Sequence, residues 1–225
     1  MIDRKFNINT NEYLPLRDVI YNTLKEAILT GALAPGDWLV EKQLQKSLDV
    51  SRTPIREALR MLVLENLVKL VPRKGAQVLG MSEKDIMESM EIRGALEGEA
   101  TALSCKRMSI ENLQQLKNVE ISFEKAITEQ DLEEVIEIDD AFHKLIFSAT
   151  ENNWLIHIYE NLCVQLYRYR MASAHVNTTS MSTIIAHHRN IIRAIENHEE
   201  EEGLFIAQGH IKYQTDAILQ FIRNK

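Results

Sequence analysis

VSRTPIREALRML, residues 50–62, is the stretch that decides the fold of the N-terminal part of the chain. Thr53 suits the N-cap of a helix, and Pro54 suits the first helical position, where its missing N–H costs no hydrogen bond. Apolar side chains then recur with helical spacing and predict one buried stripe, which comprises Ile55, Ala58, Leu59, Leu62 and Val63. The run therefore predicts an amphipathic helix with a polar start.

Charged residues in and after this helix indicate contact with DNA. Arg52, Arg56 and Arg60 recur every four residues and predict a row of arginines along the exposed side. Arginine can bind guanine through two hydrogen bonds, and such a helix has the shape and charge to enter the major groove. Two strands are predicted next, over 68–71 and 76–79, with a basic, glycine-containing tip between them. This hairpin is typical of a wing that reaches the DNA backbone.

Two further helices are predicted before this one. Pro15 precedes a run of apolar residues with helical period, and a second short helix carries Leu44 and Leu48 inward. The alternative is a solvated charged helix beside an ordinary hairpin. The helix cap, the apolar stripe, the row of arginines and the basic tip occur together and in this order. Their combination favours a winged helix-turn-helix, with three helices and a hairpin wing, over residues 12–79. Residues 1–11 are expected to form a flexible tail.

The distribution of charge separates two parts of the chain. The net charge is −7, but residues 1–80 hold 12 basic and 9 acidic side chains, whereas residues 81–225 hold 14 basic and 24 acidic ones. All seven histidines lie in the second part. Only the first part is therefore expected to face an anionic partner.

Several classes of protein are excluded by what the chain lacks. It has no run of about 18 apolar residues that would span a membrane, and no N-terminal apolar stretch typical of a secretory signal. Cys105 and Cys163 both lie inside apolar helical patterns, which predicts reduced core residues. We therefore expect a cytoplasmic protein that does not contact membranes.

Residues 82–225 predict a helical domain. Ser82 and Asp85 have the spacing of a capping box at the start of a long helix. About six helices are expected, over 82–107, 109–129, 131–150, 152–175, 182–198 and 200–224. The fold class is thus mainly α, with an antiparallel all-α bundle after the winged domain.

Polar residues on the apolar faces of three of these helices form a candidate metal site. Asp139 and His143 lie four residues apart on one face, His188 lies among isoleucines, and His210 follows Ala207 by helical spacing. Aspartate and histidine suit a transition metal such as zinc or nickel. A buried histidine is also common as a hydrogen-bonded core residue, so periodicity alone leaves both interpretations open.

The N-terminal motifs resemble the DNA-binding domain of the GntR family of bacterial transcription regulators. The resemblance is carried by GALAPG at 31–36, VSRTPIREAL at 50–59 and RKGAQV at 73–78, within about 65 residues. It implies a homodimer, more often a repressor, that binds a short palindromic operator in double-stranded DNA. By this resemblance the DNA-contact positions are Lys42, Ser51, Arg52, Thr53, Arg56 and Gly75. Lys42 replaces an arginine common there, which indicates a phosphate contact.

The histidine spacing resembles the FCD ligand-binding domain of the FadR subfamily. Asp139 and His143, then His188, then His210 after 22 residues, match its metal-binding members, whereas the acyl-CoA-binding branch lacks this set. The six helices are similar to those of the VanR-type branch. Arg93 falls where an arginine commonly faces the effector pocket, which implies that it binds the carboxylate of a small organic acid. The alternative for Arg93 is a salt bridge with Glu97.

Three hypotheses of function follow from these features. The leading one is a transcription regulator controlled by a small acid at a metal-containing pocket. A second is that the metal is purely structural and the protein has no effector. The third, a metalloenzyme with a DNA anchor, is disfavoured because the chain has no His-Glu-x-x-His motif and no Glu-x-x-His pair.

Overall fold

The structure is a computed structural model that describes residues 14–174 and 181–223. The tail expected over residues 1–11 lies outside the described residues. The chain divides between Met81 and Ser82 into two compact units. The described residues are mainly helical, as predicted, and none of their helices is long and apolar enough to cross a membrane.

The N-terminal unit combines three helices with a small sheet. Its helices are α1 (Leu16–Leu29), α2 (Glu41–Leu48) and α3 (Arg52–Leu64), and its strands are β1 (Trp38–Leu39), β2 (Val68–Val71) and β3 (Gly75–Val78). The sheet is antiparallel in the order β1-β3-β2. The buried stripe predicted on α3 packs inward, with Val63 half-buried. The prediction of a winged helix-turn-helix is confirmed.

One local prediction in this unit was wrong, and one short strand was missed. Helix α3 begins at Arg52, so its N-cap is Ser51 rather than Thr53, and Pro54 is the third helical residue. Proline is accepted there because the first-turn N–H groups have no intrahelical partner. Strand β1 was not predicted, because two residues are too short to show an alternating pattern; Trp38 pairs with Gln77 of β3.

The C-terminal unit contains the six predicted helices. They are α4 (Glu83–Arg107), α5 (Ile110–Glu129), α6 (Leu132–Ala149), α7 (Asn153–Ala174), α8 (Met181–Glu196) and α9 (Glu200–Arg223). Ser82 and Asp85 form the expected capping box at the start of α4. One apolar cluster draws at least one buried residue from each of these helices. Gly98 allows α4 to approach α9 closely, because a Cβ there would lie 2.9 Å from the Gln208 side chain.

Candidate functional site

Four polar residues meet in the interior of the C-terminal unit. Helix α6 supplies Asp139 and His143, helix α8 supplies His188, and helix α9 supplies His210. Each offers a ligand atom, and these atoms all lie within 4.8 Å of one another. All four residues are buried. The i, i+4 spacing on α6 places Asp139 and His143 one helical turn apart on the same buried face.

Two further carboxylates orient the histidine rings. His143 Nδ1 lies 2.8 Å from Glu97 Oε2, and His188 Nδ1 lies 2.8 Å from Glu120 Oε2. Because a carboxylate accepts, both Nδ1 atoms are assigned as donors, which leaves each Nε2 with a lone pair when the ring is neutral, the form that binds a metal. His188 Nε2 is then 3.4 Å from Asp139 Oδ1. Carboxylates that fix the tautomer and orientation of histidines in this way are typical of metal sites.

Unpartnered atoms show that this donor set fits a metal ion. Asp139 Oδ1 and His188 Nε2 are buried and have no hydrogen-bond partner among the residues the structure describes. Leaving a buried polar atom unpaired costs about 1–3 kcal/mol, so native interiors rarely contain two together without a function. Imidazole nitrogen and carboxylate oxygen are also the ligand types that zinc and nickel accept.

The charges around the four residues also suit a divalent cation. Arg170 pairs with Asp139 Oδ2 and with Asp140, and Arg93 pairs with Glu97. With Glu120, and with the imidazoles neutral, four carboxylates face two guanidinium groups among the described side chains, an excess of two negative charges.

The same excess of negative charge acts on the ligands themselves. Burial opposes the charge on His188, but the neighbouring carboxylates of Asp139 and Glu120 outweigh burial and raise the pKa of the imidazole to about 9. Burial likewise opposes the charge on Asp139, yet His188 and Arg170 hold the pKa of its carboxyl well below the usual value. The site therefore takes up positive charge readily, from a proton or from a metal ion.

Arg93 is fully buried and lies beside the four ligands. Its Nε and Nη2 donate to Glu97 Oε1 at 3.2 and 3.1 Å, and its Nη1 donates to Gln214 Oε1 at 3.0 Å. The salt bridge with Glu97 that the spacing allowed is thus present, but in the interior rather than on the surface. The other oxygen of the same carboxylate binds His143, so Glu97 joins Arg93 to a candidate metal ligand.

Sequence reasoning missed the carboxylates that support the histidines. Glu97 was considered only as a partner of Arg93, and Glu120 was not considered. A signal for Glu120 existed, because it lies between buried Leu116 and Phe123 on one face of α5. An acidic residue at an apolar position is rare unless it is paired.

In the N-terminal unit, the predicted DNA-contact side chains lie on an exposed surface. Lys42, Ser51 and Thr53 are exposed. The side chains of Arg52 and Arg56 are 56% and 55% exposed, and their Nε atoms lie 3.1 and 2.9 Å from the carboxylate of Glu41. Both guanidinium groups are therefore held near one point at the start of α3, by a partner on α2 that the sequence did not indicate.

The wing depends on the glycine at the start of β3. Gly75 has φ +111°, and a Cβ there would lie 2.5 Å from the carbonyl oxygen of Leu39. Only glycine avoids both the strained backbone and this clash. Two basic residues precede it: Arg73 has a positive φ of 64°, and Lys74 Nζ lies 5.7 Å from the ring centroid of Trp38. The tip of the wing thus carries two exposed positive charges.

A winged helix-turn-helix with a basic recognition surface, followed by a helical domain with a buried metal-type ligand set, defines a class of two-domain DNA-binding proteins. Comparison with known families identifies the class further. Residues 16–78 match the family described as bacterial regulatory proteins, gntR family, and residues 88–212 match the FCD domain. The chain belongs to the GntR family of DNA-binding transcriptional regulators and carries an FCD domain.

Individual relatives agree with this assignment. The chain is 32% identical to the HTH-type transcriptional regulator YdhC of Bacillus subtilis, over 96% of this chain and 95% of that protein. It is 27% identical to the HTH-type transcriptional regulator McbR of Escherichia coli, over 89% and 90%. The solved structure of E. coli McbR has the same fold, with a TM-score of 0.78 and 24% identity over 92% of this chain and 98% of that one. These relatives are regulators, which confirms the expectation of a regulator rather than an enzyme.

Proposed function

We propose that this regulator is a homodimeric repressor, and that a small organic acid, bound beside a divalent metal in the FCD domain, changes its affinity for a short palindromic operator. The observation that carries the proposal is the buried set Asp139, His143, His188 and His210, with two ligand atoms that lack partners. Zinc and nickel are the candidate ions, since both accept imidazole and carboxylate ligands.

Residues of the winged domain have defined roles in this proposal. Arg52, Thr53 and Arg56 read base edges in the major groove, where arginine binds guanine through two hydrogen bonds. Ser51 and Lys42 hold phosphates, and the wing at Gly75 follows the backbone. The shared pairing of Arg52 and Arg56 with Glu41 supports these roles, because it keeps both guanidinium groups together on the exposed side.

Arg93 supplies the charge that attracts an acidic effector. Its buried guanidinium binds Glu97, and the same carboxylate binds the candidate metal ligand His143. A carboxylate that bridges the metal and Arg93 would meet two positive charges in a region of low dielectric. The acid controls DNA binding only if it binds one arrangement of the dimer more tightly than another.

The metal and the effector can be tested on the full-length protein. Elemental analysis and native mass spectrometry of the purified protein give the bound metal and any retained acid. We expect about one divalent ion per chain in the wild type, and its loss in His188→Ala. His157→Ala is the matched control, because that imidazole is exposed. Equal metal content in wild type and His188→Ala would refute the site.

Operator binding tests the effector. We expect the affinity of the metal-loaded protein for the region upstream of its own gene, measured by fluorescence anisotropy, to change when acetate, succinate, malate or citrate is added. The same acids are added to the metal-free protein as a control, where the change is expected to be smaller. An affinity that none of these acids alters would count against effector control.

A purely structural metal is the second candidate function. It is favoured by the burial of all four ligands, since four protein ligands complete a closed tetrahedral site. In that case metal removal lowers the thermal stability, whereas the acids produce no further shift on the metal-loaded protein. Thermal denaturation with and without chelator, then with each acid, separates the two candidates.

A further inference from the structure

Glu41, the first residue of α2, places an acidic side chain among the proposed DNA-contact residues. Arg56 Nε donates to Glu41 Oε1 at 2.9 Å and to Oε2 at 3.0 Å, and Arg52 Nε lies 3.1 Å from the same Oε2. The Glu41 side chain is 27% exposed, whereas the side chains of both arginines are more than half exposed. One carboxylate therefore engages two guanidinium groups on the surface that the proposed function assigns to DNA.

Stability alone gives little reason for this carboxylate. Exposed ion pairs contribute little to folding, because water and salt screen them. An acidic residue in the first turn of α2 favours the helix dipole, but it would do so without contacting the arginines. Attraction to phosphates is weakened, since the carboxylate cancels one of the two positive charges. An arrangement that lowers the general attraction to DNA is expected where it improves discrimination between DNA sequences.

The side of the guanidinium that Glu41 binds determines which donors stay available. A guanidinium carries five N–H groups in a planar fork, one on Nε and two on each Nη. Two bonds to guanine O6 and N7 can leave from the end of the fork, between Nη1 and Nη2, or from the side that includes Nε. Glu41 binds Arg56 through Nε, and within residues 14–174 and 181–223 no hydrogen bond uses the Nη groups of Arg52 or Arg56. The end of each fork is thus left for a base.

We propose that Glu41 is a positioning residue that makes operator recognition selective, an inference that rests on the proposed roles of Arg52 and Arg56. On the operator, Glu41 keeps the Nε side of each guanidinium while the Nη groups donate to guanine O6 and N7. On DNA that offers only phosphates, the carboxylate competes with the phosphate for the same guanidinium. Glu41 therefore lowers the affinity for non-operator DNA and raises the ratio of operator to non-operator affinity.

The test compares Glu41→Gln with the wild type as full-length proteins, by fluorescence anisotropy. The probes are an operator duplex, selected from a random pool by the wild type, and a scrambled duplex of equal length and composition. We expect affinity for the scrambled duplex to rise at least about threefold, with a log–log salt dependence steeper by about 0.9, as for one more neutralised phosphate. The ratio of operator to scrambled affinity should fall at least about fivefold, because a well-oriented arginine–guanine contact gives about 5- to 150-fold discrimination.

Two controls separate positioning from charge and from direct contact with a base. Glu57→Gln removes the same charge on α3, where the carboxylate pairs with Arg17, so it should leave the ratio unchanged. Glu41→Gln is also added to a variant that carries Arg52→Ala and Arg56→Ala. The ratio should be the same with and without Glu41→Gln in that background, because Glu41 acts through these arginines.

Three results would overturn the inference. They are an unchanged ratio in Glu41→Gln, an equal loss of affinity for both duplexes, which indicates a structural role, and a further fall of the ratio in the background without the arginines, which indicates that Glu41 itself contacts a base. The proposed function fails separately, and the inference with it, if the wild type selects no sequence or if Arg52→Ala and Arg56→Ala both keep the wild-type ratio.

Discussion

Replacing Glu120 by glutamine removes one negative charge beside His188 and keeps the shape of the side chain. Glu120 Oε2 lies 2.8 Å from His188 Nδ1, and both side chains are at most 5% exposed, so water screens this contact little. A hydrogen bond to a charged acceptor contributes about 1.5–3 kcal/mol and a neutral one about 0.5–1.5 kcal/mol. The difference of about 1–1.5 kcal/mol corresponds to roughly tenfold in metal affinity. Losses of about 10–100-fold are typical of residues that support a metal ligand.

Competition with a fluorescent zinc chelator at fixed pH and salt measures this effect. Glu124→Gln is the matched control, because it makes the same chemical change one helical turn further along α5, where the carboxylate forms an exposed pair with Arg189. We expect zinc affinity to fall at least about tenfold in Glu120→Gln and less than about twofold in Glu124→Gln. If both variants bind zinc as tightly as the wild type, Glu120 does not support a metal ligand and the reasoning about the site is wrong.

Two further predictions concern the winged domain. Arg52→Ala and Arg56→Ala should each weaken specific operator binding by about 1–3 kcal/mol in fluorescence anisotropy, and unchanged affinity in both would reject α3 as the recognition helix. Gly75→Ala should destabilise the domain by about 1–3 kcal/mol in urea denaturation, because its φ is +111° and the new Cβ would meet the Leu39 carbonyl at 2.5 Å. Gly31 has φ +76°, but a Cβ there would meet nothing within 4 Å, so Gly31→Ala should lower the free energy of unfolding by less than Gly75→Ala does. Equal losses of stability in the two variants would show that the structure relieves the clash at Gly75.

Features that depend on local spacing could be predicted from the sequence. The arginines of α3, the capping box at Ser82 and the inward faces of Asp139 and His143 all follow from helical periodicity over a few residues. The convergence of His188 and His210 on that face required the family resemblance, because periodicity places a residue on one side of its own helix and does not say which helix it meets.

Contacts between distant parts of the chain could not be predicted. His188 and its partner Glu120 are 68 residues apart, and Arg170 and Asp139 are 31 residues apart. Such pairings depend on how the helices pack, which no local pattern records.

The shared carboxylate of Glu97 limits how this pocket can change during evolution. Its Oε1 balances the buried charge of Arg93 while its Oε2 orients His143. Removing one partner of a buried ion pair costs about 3–5 kcal/mol, a large part of the roughly 5–15 kcal/mol that stabilises a domain. A substitution at 93 or 97 alone would thus produce a destabilised protein as an evolutionary intermediate. Replacing both residues would still remove the carboxylate that orients the ring of His143. Divergence at these three positions is therefore epistatic: the pocket can acquire a different chemistry there only through linked substitutions.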